Sequence, residues 1–342
     1  MRAVFRPFLL CLALLAPAAW AQTVTDLYQV REAVSGQQPE ERSAALTRAL
    51  DTLVLRLTGS VAAVQNPGLA ELRKNPQQVI SQYGYEADAL LVQFDPVSTD
   101  AALQRAGLSL WGANRPAIIA WWFDESVESN NLLTDGQEGG ALVKRAAQHR
   151  GLPIRLPIGD LNEQLIVTSE SLREEVPAEL AKASERYSTD ATLAVLTRSE
   201  YAGMKAEWTL WLGDTREQGN ASAADPAQLA DAVLLAVSER LAPRFVVAPG
   251  AARSLTLEVE GADLARYAEL QRLLEPFAAQ LVKADGGRLT FRVSASAEQL
   301  RAQLALAHLQ ESPAVSAEAA PAAPGQAPVV AAQATDTLRF HW

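Results

Sequence analysis

Cysteine is nearly absent from this chain, and the one present, Cys11, stands inside an apolar N-terminal run. Leu9-Leu10 precede it where a lipid-bearing cysteine would need small residues, so lipidation is excluded. Beyond residue 21 there is no thiol, which removes disulfides, thiol nucleophiles and cysteine-held metals together. A chain of 342 residues can bury enough apolar surface without such staples. Histidine is scarce too. His149, His308 and His341 fall on separate predicted helices and on the tail, with no pair four residues apart, so no metal site and no cofactor is expected. Gly-x-Ser-x-Gly, Ser-x-x-Lys, His-Glu-x-x-His and Gly-x-x-x-x-Gly-Lys motifs are missing as well. The sequence therefore offers no catalytic residue, and the expectation is a protein that is not an enzyme.

Positive charge is in short supply. Lys and Arg number 30 against 40 Asp and Glu, for a net charge of −10, and the basic residues are scattered. That excludes the electrostatic footprint of a nucleic-acid or anionic-lipid binder. After the N-terminus no apolar run is long enough for a membrane span, which needs about 20 residues.

The N-terminus is built as an export leader. Arg2 and Arg6 supply positive charge, Phe8 to Leu15 an apolar stretch, and Ala19-Trp20-Ala21 a small-x-small cleavage site. The expectation is cleavage after Ala21 and a periplasmic destination. Losing Arg2 and Arg6 takes the net charge from −10 to −12.

The rest reads as an α/β (α+β) fold of tandem small mixed-sheet modules. The first, 22–112, opens with a strand at Leu27–Val30. Pro39-Glu40-Glu41 then starts a helix whose Leu46, Ala49, Leu50, Leu53, Val54 and Leu57 share one face, and Thr58-Gly59 stops it. A second helix is predicted over Pro67–Gln82, a strand over Leu90–Phe94 and a helix over Thr99–Ala106.

The second module, 113–248, carries the apolar run Ala117–Phe123, a strand covered on both faces, ending in Asp124-Glu125. Helices are predicted over Ala141–His149 with Gly151 as C-cap, over Pro177–Tyr187 and over Pro226–Leu241. Strands are predicted over Ile154–Ile158, Thr192–Leu196 and Glu207–Leu212. The third module, 249–311, runs strand (Leu255–Val259), helix (Leu264–Leu274), hairpin around Asp285-Gly286-Gly287, and helix (Ala297–Leu309). One more strand would make it a ferredoxin-like β-α-β-β-α-β unit.

An Ala/Pro linker, 312–334, reads as disordered. Residues 335–342 then alternate, with Leu338, Phe340 and Trp342 on one side. Two readings stay open for this tail. It returns as the missing sixth strand, or it adds as a strand to a partner through Leu338, Phe340 and Trp342. A terminal aromatic behind alternating apolar residues resembles the last strand of outer-membrane β-barrels, which barrel-assembly factors and PDZ-type proteases read.

Ligand candidates are few. Asp124 ends an apolar strand, where α/β folds place ligands, although solvating the strand end is the plainer role. Trp208 and Trp211 offer aromatic surface but differ in parity, as do Trp121 and Trp122, so in each pair the rings face opposite ways. Trp111-Gly112-Ala113-Asn114-Arg115-Pro116 reads as a packed interdomain hinge.

Several stretches together carry a resemblance. They are Leu55-Arg56-Leu57-Thr58-Gly59, Gln82-Tyr83-Gly84-Tyr85, Val92-Gln93-Phe94-Asp95, the Trp111–Pro116 hinge, Arg150-Gly151-Leu152-Pro153 with Pro157, and the closing Leu338–Trp342. The series resembles an uncharacterised domain-of-unknown-function family of exported Gram-negative proteins, which implies no catalytic residues. In element order the middle module is loosely similar to domains of curli-secretion and penicillin-binding-protein-activator lipoproteins and to the N-terminal domain of the Tol-system propeller protein. Those similarities imply binding to other envelope proteins. The resulting expectation is a periplasmic accessory of assembly or secretion that binds or regulates an envelope protein. Its rivals are a cell-wall-active enzyme using acids such as Asp124, and a peptidoglycan- or small-ligand-binding module using exposed tryptophans.

Overall fold

The computed structural model describes residues 22–24, 26–125, 130–173, 178–247, 253–274, 277, 279–312 and 337–342. The leader at 1–21, Pro177, and the linker beyond Ser312 lie outside the described residues. The chain is an α/β protein of tandem modules with several small mixed sheets.

The first module comprises β1 (Gln22–Thr23), β2 (Gln29–Ala33), α1 (Pro39–Thr58), α2 (Val61–Val64), α3 (Ala70–Lys74), β3 (Ile80–Glu86), β4 (Ala89–Phe94) and α4 (Pro96–Arg105). The sheet order is β2-β4-β3, antiparallel throughout. α1 lays its predicted face, from Leu46 to Leu57, on Val30, Leu90, Val92 and Phe94 to make the core. The helix predicted over Pro67–Gln82 is not formed. Short 3-10 turns at Pro67–Leu69 and Pro76–Val79 flank α3, and β3 follows. Pro76 lacks the amide that a helix needs at that point, and Tyr83 and Tyr85 pair with Val92 and Leu90 across a hairpin.

The second module adds β5 (Asn114–Arg115), β6 (Ile118–Glu125), β7 (Asn130–Leu132), α5 (Glu138–Arg150), β8 (Ile154–Arg155), α6 (Leu161–Ile166), α7 (Ala178–Ser184), β9 (Ala191–Glu200), β10 (Gly203–Leu212), β11 (Thr215–Ala223) and α8 (Pro226–Phe245). Its sheet runs β11-β10-β9-β6-β7, with β8 beside the start of β6. β6 is parallel to β8 and β9, and the remaining pairs are antiparallel. Six successive residues of β6, Ile118 to Phe123, are buried. Ile118, Ala120 and Trp122 face the core under α5 and α8, while Ile119, Trp121 and Phe123 face a second cluster that includes α7. β11 and α6 were not predicted. The sequence Thr-Arg-Glu-Gln-Gly-Asn-Ala-Ser-Ala has no apolar alternation, because β11 is an edge strand whose even-numbered side chains meet solvent.

The third module is β12 (Arg253–Glu260), α9 (Leu264–Leu274), β13 (Gln280–Asp285), β14 (Arg288–Ala295), α10 (Ala297–Leu306), β15 (Gln310–Glu311) and β16 (Thr337–His341), with sheet order β13-β14-β12-β16-β15. β15 follows α10 and runs antiparallel to β12, so it holds the direction of the sixth ferredoxin-like element. The tail strand β16 is wedged between the two, parallel to β12 and antiparallel to β15. Leu338 stands opposite Leu257 and Phe340 opposite Val259, and both tail side chains are buried in the module's own core. On the other face Arg339 bonds Glu258 at 2.9 Å. The Trp342 ring lies under the Arg266 guanidinium, 5.3 Å away. Leu338 and Phe340, candidates for a partner contact, are thus occupied within the chain.

The first two modules meet at two buried arginines. Arg115 is fully buried and donates to five backbone carbonyls, those of Arg56, Trp111, Gly112, Arg150 and Gly151. Its guanidinium sits 4.2 Å from the centre of the Trp111 ring, which stacks on Phe245 of α8. Arg56 donates to the carbonyls of Asp26, Leu27, Gln29 and His149. Several of these carbonyls end α1 or α5, where the helix dipole is negative, so two charges are held with no carboxylate bonded to either among the described residues. Burial, then the Arg56 guanidinium, pulls Arg115 down to about 9, and burial, then the charge of Arg150, pulls Arg56 down to about 10. Gly151 ends α5 at φ +66, and a Cβ there would lie 2.7 Å from Arg56 Cγ and 3.0 Å from Arg115 Nη1. Only glycine meets both demands. β1 pairs with β5 across the same joint.

Candidate functional site

The ends of β6 and β9 point the same way, and the N-terminal turns of α5 and α8 come to that end of the sheet. Between them lies a crevice of about 480 Å³. Its floor is Trp122, Asp124, Thr197 and Met204 from the strands. Leu142, Val143 and Glu138 of α5 form one wall, and Pro226, Leu229 and Ala230 of α8 the other; Asn131, Leu133 and Gln137 close the side toward β7. The carboxyl ends of parallel strands are where open α/β sheets take ligands, and the volume falls in the range of about 300–1,000 Å³ typical of such sites.

The local sequence explains the shape. Strand alternation sends Trp122 and Asp124 to the α5–α8 side and Glu125 to the other, where it bonds Arg173 at 3.0 Å. Pro226 fits the first helical position of α8, and the Asp225 side chain caps the helix by accepting from Gln228 N at 2.8 Å. Thr197 is buried and donates to Asp124 Oδ1 at 3.1 Å and to the Phe123 carbonyl. This ties the ends of β6 and β9 together and fixes the carboxylate. Among the described residues the lining carries Asp124 and Glu138 as its charged groups and no cation. The crevice therefore suits an apolar body bearing a cationic or hydrogen-bond-donating end.

A second cluster has the distances of a catalytic triad but not its chemistry. His149 Nδ1 is 3.0 Å from Asp231 Oδ1, and His149 Nε2 is 3.2 Å from Thr52 Oγ1. Yet the Thr52 hydroxyl donates to Glu32 at 2.7 Å, and Thr52 is buried in the middle of α1, so its oxygen faces no open space. Hydrogen bonding to Asp231, then to Glu32, raises His149 above its usual value. Burial opposes the shifts of both acids, but bonds from His149 and Thr52 hold Glu32 low, and His149 with Arg150 hold Asp231 low. Arg150 also bonds Asp231. The cluster is a charged clasp between the first module and α5 and α8, the same helices that wall the crevice.

Among the ligand candidates read from sequence, Asp124 lies in the crevice. Trp208 does not: it is buried in the core, its ring against Gly219. Trp211 is half-buried on the opposite face. Trp121 and Trp122 are buried, and Trp121 Nε1 donates to Ser184 Oγ at 2.9 Å. The exposed tryptophans that a glycan-stacking module requires are therefore not present at these four positions. Sequence reasoning missed Glu138, Leu142, Pro226 and Ala230. The signal was there in part, since both helix starts and the strand-end acid were legible, but their convergence was not.

The fold and site define an α/β protein of tandem modules with a crevice at the strand ends. A family model described as a domain of unknown function (DUF8605) matches residues 21–112, the first module, and stops inside the hinge. No curated protein and no solved structure matches the chain.

Proposed function

We propose that this chain is an exported, periplasmic binding protein of the cell envelope, an accessory of assembly or secretion that recognises another envelope protein without catalysing a reaction. The crevice between α5 and α8 carries the reading. It is preformed, mostly apolar and acidic at one end, and among the described residues its lining holds no histidine, cysteine, lysine or serine. Its occupant is an apolar side chain of the partner ending in a positive or donating group. Export rests on the leader features at residues 1–21. The strand β16 serves the third module's own sheet, which leaves recognition to the crevice.

The test is recovery of partners from envelope extract with wild-type protein, with Leu142→Arg, which sets a competing cation at the crevice wall, and with a chain cut after Ala334. A partner lost with Leu142→Arg and kept after truncation supports the crevice. A partner kept by both variants, or lost only on truncation, overturns it. The two carboxylates in one crevice favour a second reading, a cell-wall-active enzyme. Release of peptidoglycan fragments by wild type but not by Asp124→Asn would replace the first reading with it.

A further inference from the structure

The sheets end in strands that differ in how they guard their open edges. β3 and β13 are irregular at Ile80/Gln82 and Leu281/Lys283, and such bulges twist an edge away from new partners. β7 and β15 are only three and two residues long, and β2, though regularly paired, offers five. β11 is different. All nine of its residues pair with β10 without a bulge, its outer side is unpaired among the described residues, and it carries neither proline nor lysine.

We infer that β11 pairs with β11 of a second copy, antiparallel about a two-fold axis, joining two central sheets into one. For the faces of the two sheets to match, the axis must pass through a residue rather than between two. Full overlap of Thr215–Ala223 then puts it at Gly219. In that register Arg216 faces Ser222 of the second copy, Glu217 faces Ala221, and Gln218 faces Asn220. The strand's two charges each meet a small neutral residue, and two amides meet each other, so nothing in the strand repels its own copy. Gly219 adds no side chain on the axis, since a Cβ there would lie 2.5 Å from the Trp208 ring. A dimer made of one strand pair buries little area, under about 1,200 Å² for weak complexes, and so depends on concentration.

Analytical ultracentrifugation across a concentration series tests this. Gln218→Lys with Asn220→Lys sets like charges opposite each other, at exposed positions that leave the core untouched. Gln218→Glu with Asn220→Lys sets opposite charges there. The expected result is a wild-type dimer, at least tenfold weaker with the two lysines and tighter with the Glu–Lys combination, all three melting alike. Wild type that stays monomeric up to about 1 mM, or a dimer indifferent to both variants, overturns the inference. If the lysine variant melts early, the Glu–Lys combination decides alone: unchanged or weaker association overturns it.

Discussion

The central module is joined to its two neighbours in different ways. Toward the first module the joint is polar and buried: Arg56 and Arg115 fill it, their charges spread over carbonyls from both sides, with the His149 clasp beside them. Toward the third module the joint is a helix face. Leu306 of α10 enters the central core, Ala302 packs beside it, and Gln303 Nε2 donates to the Asn114 carbonyl at 3.1 Å. An apolar helix contact loosens by degrees, whereas a buried arginine cannot lose half its acceptors without leaving a charge unsolvated. The first two modules should therefore unfold as one unit and the third by itself.

The sharpest way to break this comparison is Arg115→Ala. It should cost at least about 3 kcal/mol, because four buried carbonyls and the part-buried one of Gly112 lose their donor. Urea unfolding followed by tryptophan fluorescence should show the first two modules lost together at lower denaturant. A transition confined to the first module would refute their coupling. Arg115→Lys should recover only part, since one ammonium cannot replace a planar fork.

Removing Thr337–Trp342 probes the other side. Leu338 and Phe340 are each worth about 1.5–3 kcal/mol when buried, and β12 loses its parallel neighbour. Hydrogen exchange should rise in β12, β14 and α10 and stay unchanged in α1, α5 and α8. Equal exchange in all of them would mean the third module does not depend on its tail strand.

The smallest effect is a pH slope at the clasp. His149 is raised from 6.5, so its contribution is complete below about pH 6.5 and is lost as pH rises through the higher folded value. Glu32 and Asp231 are lowered, so theirs are present above about pH 4.5 and fall away in stronger acid. Melting temperature should peak in the mildly acidic range, and His149→Gln should flatten the decline on its alkaline side. An unaltered decline in that variant would place the slope elsewhere.

Much of the fold was legible. The face of α1, the doubly covered β6, the extent of α9 and the hairpin at Gly286-Gly287 follow from spacing and turn chemistry. The failures share a cause. β3 and β11 form because a neighbouring strand offers a ladder, and their own residues carry little apolar pattern. The site was legible in one residue, Asp124, because a strand end is local information. Its other walls come from two helices some ninety residues apart in the chain.

By itself the sequence determined the α/β class, the modular order, the lack of cysteine beyond residue 21 and the alternating tail, since each depends on local period or on composition. Only the tertiary structure decided that Arg56, the Trp111–Pro116 hinge and Arg150-Gly151 are one joint. It also decided that the tail lies parallel beside β12, and that the starts of α5 and α8 enclose a crevice. Those outcomes depend on which distant surfaces exclude water together, and no local pattern encodes that pairing.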